Sequence, residues 1–522
     1  MTMEALIFSY LEKLQQKKGP PGPVPVAGLV SDGKEGSSVP EIEPEVFHGV
    51  PQGYWDGRSL YAVARNGAGA ELLRWSSVER ESRFGGEMTK ASGAVEERLR
   101  GESLSAEALW QLLPHLAPSA LASVDRTIGT GDRLGLAGHA HASAFKQRDA
   151  APVLAQQSVR ELRQTGRGYG DVLLAATLGA LEAGYTGPWG FDGDHLKNME
   201  EVEAALAAGC TMLTIDLSGV LDLSATTATG SELERSWNRI PDALKERWGN
   251  TYIDRTHQLT AGVTVYTDPE ATKQTLATFW KAFRFLEDVT EAIGKTGRTV
   301  DLEVSVDETG LDTTIVQHFI LVNELNRRGV MITSLAPKFV GEFQKGIDYQ
   351  GELTALEENI AEHARLAKAL GTYKLSIHSG SDKLSVFPLV EKVTRGSYHL
   401  KTSGTFWLEA VRTVAQVSPE LFRSIFEIAW ESFEEMQALY HVTSEKEDIV
   451  SLRERPTAEY QKYLGEPASR QLLHVAYGSV LKERELRREL LELLSRNRSV
   501  YLENIRAHTD RHLDALKVPR RG

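Results

Sequence analysis

Between residues 119 and 417, short apolar and β-branched runs alternate with longer stretches of helical period, and this alternation constrains the chain more than any other feature. The strand candidates are 123–129, 187–194, 211–217, 299–307, 330–337, 373–378 and 397–401; helical stretches lie at 171–183, 199–208, 269–293, 312–328, 353–370 and 405–417. Strand, helix, strand repetition of this length is the pattern of an α/β protein whose parallel sheet is covered by helices. Seven strands are readable and an eighth fits in the less regular parts, so a (β/α)8 TIM-type barrel is favoured over an open sheet.

A chain of 522 residues leaves room for additions around such a barrel. Residues 1–118 are read as an N-terminal elaboration. It opens with MTMEALIFSYLEKLQQKK, where an acidic residue, Glu4, precedes the apolar patch and the lysines follow it. That order is the reverse of a secretory signal and predicts a short amphipathic helix. Residues 19–47 are rich in Pro, Gly and Ser and read as a loop or linker; residues 48–118 show no clear period. A polar insertion, 219–262, interrupts the barrel pattern and is expected to form a lid. Residues 418–522 read as a charged helical extension, with Leu486, Leu490, Leu493 and Leu494 at helical spacing. They predict a helix packed on the barrel; the alternative, a dimer contact, keeps a homo-oligomer open.

Composition excludes several partners. Lys and Arg number 59 against 72 Asp and Glu, a net charge of −13, so no global field attracts nucleic acid or an anionic membrane. An anionic substrate would need a local basic pocket. No apolar run reaches the ~18–20 residues of a membrane span. The single cysteine, Cys210, excludes an intrachain disulfide and a multi-cysteine zinc site, reads as structural, and fits a reducing, cytoplasmic setting.

Barrel active sites lie at the C-terminal ends of the strands, so polar residues there are the ones to weigh. The 187–194 strand runs into Asp192, Asp194 and His195, a carboxylate–imidazole group able to ligate a divalent metal or move a proton. The competing reading makes Asp194 the cap of the helix starting near Asn198. In TVDLEVSVDETG, Val300, Leu302, Val304 and Val306 share one face, and Asp301, Glu303, Ser305 and Asp307 the other. Carboxylates inside a barrel are costly unless they meet a metal, cation or substrate, so Glu303 and Asp307 are candidate ligands or bases. Lys338 could hold a carboxylate or form a Schiff base, against the plain reading of a surface lysine. His378 follows an apolar strand and precedes the turn Ser379-Gly380-Ser381-Asp382-Lys383, which offers polar contacts for a substrate. His399 and Lys401 share a parity and both point inward; Thr402, Ser403 and Gly404 lead into a helix whose N-terminus suits an anion.

Gly129-Thr-Gly-Asp-Arg-Leu-Gly135 has the spacing G-x-G-x-x-x-G, not G-x-G-x-x-G, which argues against a dinucleotide loop; Asp132 and Arg133 remain polar contacts at a strand end. No G-x-S-x-G, Walker or HExxH motif occurs. His139 and His141 form an H-x-H pair, but about ten residues beyond the first strand rather than at its end, which weakens a metal reading.

Taken in order, GFDGDHL, DLEVSVDET, SLAPKFVGEFQKGIDY, SIHSGSDK and HLKTSGTFWLEAVR resemble the tagaturonate epimerase family over roughly residues 119–480. That family includes enzymes acting on tagaturonate and fructuronate, and relatives that are ketohexose (tagatose/fructose) 4-epimerases. The resemblance implies a barrel and a divalent metal (Zn, Mn, Ni or Co), with His195 and His378 as the histidine ligands and Asp307, Glu303 or His399 completing the set.

Inverting a carbon β to a ketone cannot proceed by simple enolisation, because that C–H is not activated by the carbonyl. Oxidation would need a nicotinamide, for which there is no loop, so retro-aldol cleavage and re-addition is expected, with a metal as Lewis acid and Asp194 and Asp307 as the acid/base pair. A uronate would also need a cation, and Arg133, Lys338, Lys383 and Lys401 offer one; a neutral hexose would not. Two readings compete: a Schiff-base aldolase using Lys401 or Lys338, and a non-catalytic carbohydrate-binding protein.

Overall fold

The computed structural model describes residues 3–17, 20–26, 52–66, 69–76, 87–91, 94–100, 104–402, 404–440 and 442–521. Six strands precede the barrel: β1 (Gly22–Pro25), β2 (Gln52–Trp55), β3 (Ser59–Asn66), β4 (Gly69–Ser76), β5 (Glu87–Ala91) and β6 (Ala94–Leu99). They form one antiparallel sheet in the order β1-β2-β3-β4-β6-β5. The expected helix is present as Met3–Lys17, and its Tyr10, Leu11 and Leu14 pack with Leu60, Ala62 and Trp75 of the sheet. Residues 22–25, expected as linker, are a strand paired with β2. The central strands β3 and β4 had no visible period because they are buried on both faces. Leu60 and Ala62 of β3 join the helix's cluster, while Tyr61 and Val63 join the main core. Two apolar faces erase the in–out alternation that marks a strand.

The barrel consists of β7 (Arg126–Gly129), β8 (Ala151–Ser158), β9 (Gly190–Leu196), β10 (Met212–Asp216), then, after the hairpin β11 (Arg255–Gln258) and β12 (Thr264–Thr267), β13 (Asp301–Ser305), β14 (Ser334–Ala336), β15 (Lys374–Ile377) and β16 (Tyr398–Lys401). All eight barrel strands are parallel and close in the order β10-β13-β14-β15-β16-β7-β8-β9. Seven lie where the alternation placed them. The eighth is β8, APVLAQQS, buried along nearly its whole length and therefore without a polar face to read. Outward residues such as Leu213, Ile215, Leu302, Val304, Leu375 and Ile377 meet the surrounding helices in the main core.

The inward face departs from the branched apolar filling usual in barrels. Gln156, Asp192, Thr214, Glu303, Ser334, Ser376 and His399 fill the middle, all buried. Gly129 stays bare because a Cβ there would lie 1.7 Å from Gln156 Oε1. At the bottom, Asp301 accepts from Leu121 N at 2.5 Å, and Lys374 Nζ donates to Val124 O (2.9 Å) and Thr127 Oγ1 (3.0 Å). The floor is plugged by hydrogen bonds rather than by methyl groups.

The insertion folds into helices Gly230–Trp237 and Asp242–Thr251 followed by the β11–β12 hairpin. It packs along the outer helix Pro269–Lys295, with the Trp248 and Phe283 rings 5.8 Å apart, and contributes no lining to the cavity described below. Its apolar residues seek the nearest apolar helix, so it is a buttress where a lid was expected. The C-terminal helices build a second core around Trp407, Phe422, Tyr463 and Tyr477; Leu486, Leu490 and Leu494 are buried in it, with Leu493 packed against it. No helix among the described residues is long and apolar enough to cross a membrane.

One ion-pair network ties the three parts together. Glu182, on helix Tyr169–Ala183, accepts two bonds from Arg65 of β3 (3.0 and 2.9 Å) and one from Arg498 of the C-terminal helices (3.1 Å). Burial would raise its pKa, but the two arginines outweigh burial and hold it down to about 2. A carboxylate depressed in the folded state stabilises it above the unfolded value near 4.5 and loses that contribution as pH falls toward 2. The shift corresponds to about 3 kcal/mol. Denaturant unfolding measured from pH 6 to pH 3 should therefore show a steep loss of stability in the wild type and a shallower one in Glu182→Gln; identical slopes would show that this network carries no linkage.

Candidate active site

A cavity of about 590 Å³ opens at the C-terminal ends of the barrel strands. Its wall includes Arg133 after β7, Glu161 after β8, Asp194 and His195 at the end of β9, Asp307 and Glu308 after β13, Lys338 and Lys345 after β14, His378, Ser379 and Ser381 after β15, and Lys401 of β16. Leu439, Tyr440 and His474 of the C-terminal helices complete it, supplying the cover that the insertion does not.

Local backbone geometry brings His195 into this site. Strict alternation from Asp192 would send Asp194 inward and His195 outward. Instead, the pairing of β9 with β10 skips a residue, Leu213 facing Gly193 and Ile215 facing Leu196, so one extra residue is taken up at Asp194–His195. His195 adopts φ 57°, a left-handed conformation uncommon for a residue with a Cβ. Its ring thereby stacks on that of His378, with centroids 5.1 Å apart. Ser379, next to His378, is likewise left-handed at φ 49°. Strained residues at two neighbouring strand ends fit a place where geometry is held for function.

Ligand atoms of His195, Asp307 and His378 lie within 4.8 Å of one another. Each histidine is oriented by a second carboxylate. His195 Nδ1 pairs with Asp194 Oδ1 at 2.9 Å, and His378 Nε2 donates to Glu303 Oε1 at 2.7 Å. That directs His195 Nε2 and His378 Nδ1 as the remaining ring nitrogens; the latter is 3.0 Å from Asp307 Oδ1, which also accepts from Ser305 Oγ. A carboxylate behind each imidazole is the arrangement that fixes metal-ligating histidines. A donor separation of roughly 3 Å also suits two ligands side by side, each about 2.1 Å from an ion. As the side chains stand, burial would depress the His378 imidazole, but Asp307 and Glu303 raise it to about 9.

Beside this group sits Lys401. Its ammonium donates to Asp194 Oδ1 and to Thr214 Oγ1 (2.7 Å), and lies 3.3 Å from Glu303 and 3.5 Å from Asp192. Burial would lower its pKa, yet the three carboxylates raise it. The same charge, with His195, reverses the effect of burial on Asp194 and holds that carboxyl well below the usual range. Glu303 is lowered similarly by Lys401 and His378. Asp192 has the weaker share of Lys401, and burial pushes it up to about 6.

The other expected residues divide into two groups. Arg133 donates to Glu161 through Nε (2.8 Å) and Nη2 and lies 3.6 Å over the Tyr477 ring; Lys338 Nζ donates to Gly310 O at 2.9 Å; Ser379 Oγ accepts from Lys345 at 2.7 Å. These, with Ser381, line the cavity. Asp382, Lys383 and Thr402 do not, contrary to the substrate role expected of them. Asp382 pairs with Arg470; Lys383 donates to the carbonyls of Gln344 (2.8 Å) and Ile347 (2.6 Å); Thr402 donates to Gly129 O at 2.8 Å. All three hold the segments after β15 and β16 to neighbouring parts of the fold. His399, expected as a ligand, lies deeper. Its ring contacts Thr127 Oγ1 (3.0 Å) and Gln156 Nε2 (3.3 Å), and burial, reinforced by Lys401 and Lys374, keeps it neutral with a pKa of about 3. Asp194 does not cap the next helix; Asn198 does, accepting from Glu201 N at 3.0 Å.

The weaker motifs resolve as structure. His139 and His141 are buried in helix Gly138–Phe145, where burial lowers both to about 4. In the glycine-rich turn, the Asp132 carboxylate accepts from the backbone N–H groups of Gly135 (2.8 Å), Leu136 (3.1 Å) and Ala137 (2.8 Å), so an acid fills the nest that a phosphate would need. Cys210 is buried and free. The residues that sequence reasoning missed, Glu161, Glu308, Lys345 and His474, stand on loops or distant helices, where no period marks which way a side chain points.

Comparison with known proteins agrees with this architecture. Residues 59–516 match the family model described as tagaturonate epimerase. A curated relative, the tagaturonate/fructuronate epimerase of Thermotoga maritima, is 38% identical over 412 residues, covering 79% of this chain and 84% of that protein. Crystal structures of a fructuronate-tagaturonate epimerase from Cohnella laeviribosi superpose with a TM-score of 0.83 in a glycerol complex (37% identity, 90% of this chain and 96% of that one) and 0.82 in the native form (38%, 88% and 94%). A closed parallel barrel, a polar cavity at its C-terminal mouth and likeness over most of the length place the chain in the tagaturonate epimerase family, as an isomerase of the epimerase type.

Proposed function

We propose that this protein interconverts tagaturonate and fructuronate by inverting the carbon β to the ketone, through carbon–carbon cleavage and re-addition, with a divalent metal held by His195, Asp307 and His378. The observation that carries this reading is the convergence of these three donors in the cavity, each histidine backed by its own carboxylate. The names of the relatives support the substrate pair. The donor set fits a cation on charge as well. Asp194, Glu303 and Asp307 are held ionised in a buried space by Lys401 and by a protonated His378, and a divalent ion would replace the imidazole proton as their counter-charge. A bound ion would supply Lewis acidity toward the substrate's ketone.

The chain's own groups account for the proton movements. Asp194 engages His195 and Lys401 through the same oxygen, Oδ1, so Oδ2 is the atom assigned to take the proton of the β-hydroxyl. The bond between the α and β carbons then breaks. Its electron pair passes to the ketone side as an enediolate, and the β carbon becomes an aldehyde. That aldehyde turns over, the bond re-forms on its opposite face, and an acid returns the proton to the new hydroxyl. Asp307, expected as one of the acid/base pair, is held ionised and is taken up as a ligand; Glu308, beside it on the turn after β13 and lining the cavity, is the carboxyl group assigned to the return. His399, neutral and below the cavity, supports the floor rather than the ion.

The two competing readings fare differently. Membership in a family of epimerases leaves no ground for a non-catalytic carbohydrate-binding protein. A Schiff base needs a neutral amine, whereas Lys401 is held as an ammonium by three carboxylates. Lys401 instead acts as the fixed positive charge that keeps Asp194 ionised and aimed.

Metal analysis of the purified protein should find about one divalent ion per chain; chelation should abolish tagaturonate epimerisation read by NMR, and added Mn, Zn, Co or Ni should restore it. His378→Ala should lose both ion and turnover while keeping its circular dichroism spectrum; an active, metal-free variant would sink the assignment. Asp194→Asn should keep the metal but lose on the order of 10²–10⁴ in kcat, the range of acid–base catalysis. Borohydride added with substrate should leave no adduct on Lys401, and a mass increase on its peptide would reinstate the Schiff base.

A further inference from the structure

The chain is acidic overall, yet one side of the cavity is basic. Of the four cations the sequence offered for a substrate carboxylate, Lys401 is enclosed by carboxylates, Lys383 is bound to backbone carbonyls, and Lys338 is turned to Gly310 O. Arg133 differs. Only its Nε and Nη2 are engaged, both on a single oxygen of Glu161, and its Nη1 is a buried donor with no partner. The residue is 6% exposed and lines the cavity. An unpaired, largely buried guanidinium donor at the wall of a cavity is costly unless a group entering that cavity accepts from it.

Two further groups converge there. His474, 2% exposed and also lining the cavity, has a buried Nδ1 with no partner. Its ring feels the charges of both Arg133 and Lys345. The Lys345 ammonium bonds to a neutral hydroxyl, Ser379 Oγ, at 2.7 Å. Gly404 keeps the corner open, since a Cβ there would lie 2.7 Å from His474 Cε1 and 3.8 Å from Arg133 Nη2. Stacking on Tyr477 and the tie to Glu161 hold the guanidinium rigid, so little ordering is needed when an anion binds.

We infer that Arg133, with Lys345 and His474, forms the carboxylate anchor of the cavity. It binds the terminal carboxylate of a sugar acid and so sets which end of the substrate faces the His195–Asp307–His378 group. This rests on reading the cavity as a uronate site, and it makes the enzyme select acids over neutral ketohexoses by charge-assisted hydrogen bonds.

Calorimetric binding of D-tagaturonate and of D-tagatose, together with KM and kcat for tagaturonate, tests it on wild type, Arg133→Met and Lys345→Met. Arg133→Met should weaken tagaturonate binding by ~30-fold or more and raise KM, the loss expected for a hydrogen bond to a charged group. Lys345→Met should weaken it several-fold, and tagatose binding should change by less than about threefold in either. Unchanged tagaturonate affinity in both variants, or an equal loss for tagatose, overturns the anchor. If Arg133→Met does not fold, Arg133→Lys replaces it; normal tagaturonate affinity there and in Lys345→Met overturns the anchor equally. A wild type that binds tagaturonate through Arg133 without epimerising it supports the anchor and removes the proposed reaction. A wild type that does not bind tagaturonate overturns the anchor.

Discussion

One buried positive charge organises the barrel mouth. Lys401 stands among Asp192, Asp194 and Glu303, and none of these acids would stay ionised in that space alone. Because the lysine is closest to Asp194, that carboxyl takes the largest share of the field, while burial and its two acidic neighbours push Asp192, farther from the lysine, up to about 6 despite the hydrogen bond from Gln156. Three acids around one base thus acquire different strengths, because Asp194 and Glu303 each have a histidine as well as the lysine and Asp192 has only a share of the lysine against its burial. The polar filling below follows from the same constraint. Thr214, Ser334 and Gln156 each offer a donor to these carboxylates, where a branched apolar side chain would leave them unpaired.

The histidines depend on this arrangement. Asp194 orients His195, and Glu303 orients His378, so the acids that neutralise Lys401 also aim the imidazoles. The left-handed backbone at His195 and Ser379 costs energy, and it is maintained by strands that are themselves buried. A mouth built this way has its polar groups held by one another before any ligand arrives, which suits the proposed cleavage and re-addition, where one carbonyl must turn over while the rest of the molecule stays in place.

The additions to the barrel have separate tasks. The C-terminal helices bring Tyr440 and His474 over the cavity, and Tyr477 beneath the Arg133 guanidinium. They are fastened to the loop after β15 by Asp382, which pairs with Arg470 and accepts His508 and His512 as neighbours, and to the N-terminal sheet through Arg498 and Glu182. The insertion after β10 stays on the outside, where it shields the helix Pro269–Lys295.

Much of the fold was legible in the sequence, because strand and helix periods are local properties. Leu353–Leu370 and the short strand ending at Lys401 could be read almost to the residue. The strand β8 and the central strands β3 and β4 of the N-terminal sheet could not, since burial on both faces removes alternation. For the site, residue chemistry at strand ends pointed to His195, His378, Asp194, Asp307 and Lys401, and these do meet in one cavity. Spacing could not separate them from His399, Asp382, Lys383 and Thr402, whose side chains satisfy the interior and the loops instead. What the sequence by itself determined was the order of elements and the types of groups at the mouth. The bulge that turns His195 inward, the sharing of Lys401 among three acids and the placing of Arg133 near a histidine some 340 residues away were decided by tertiary structure, because barrel closure, unlike periodicity, joins residues that no local pattern relates.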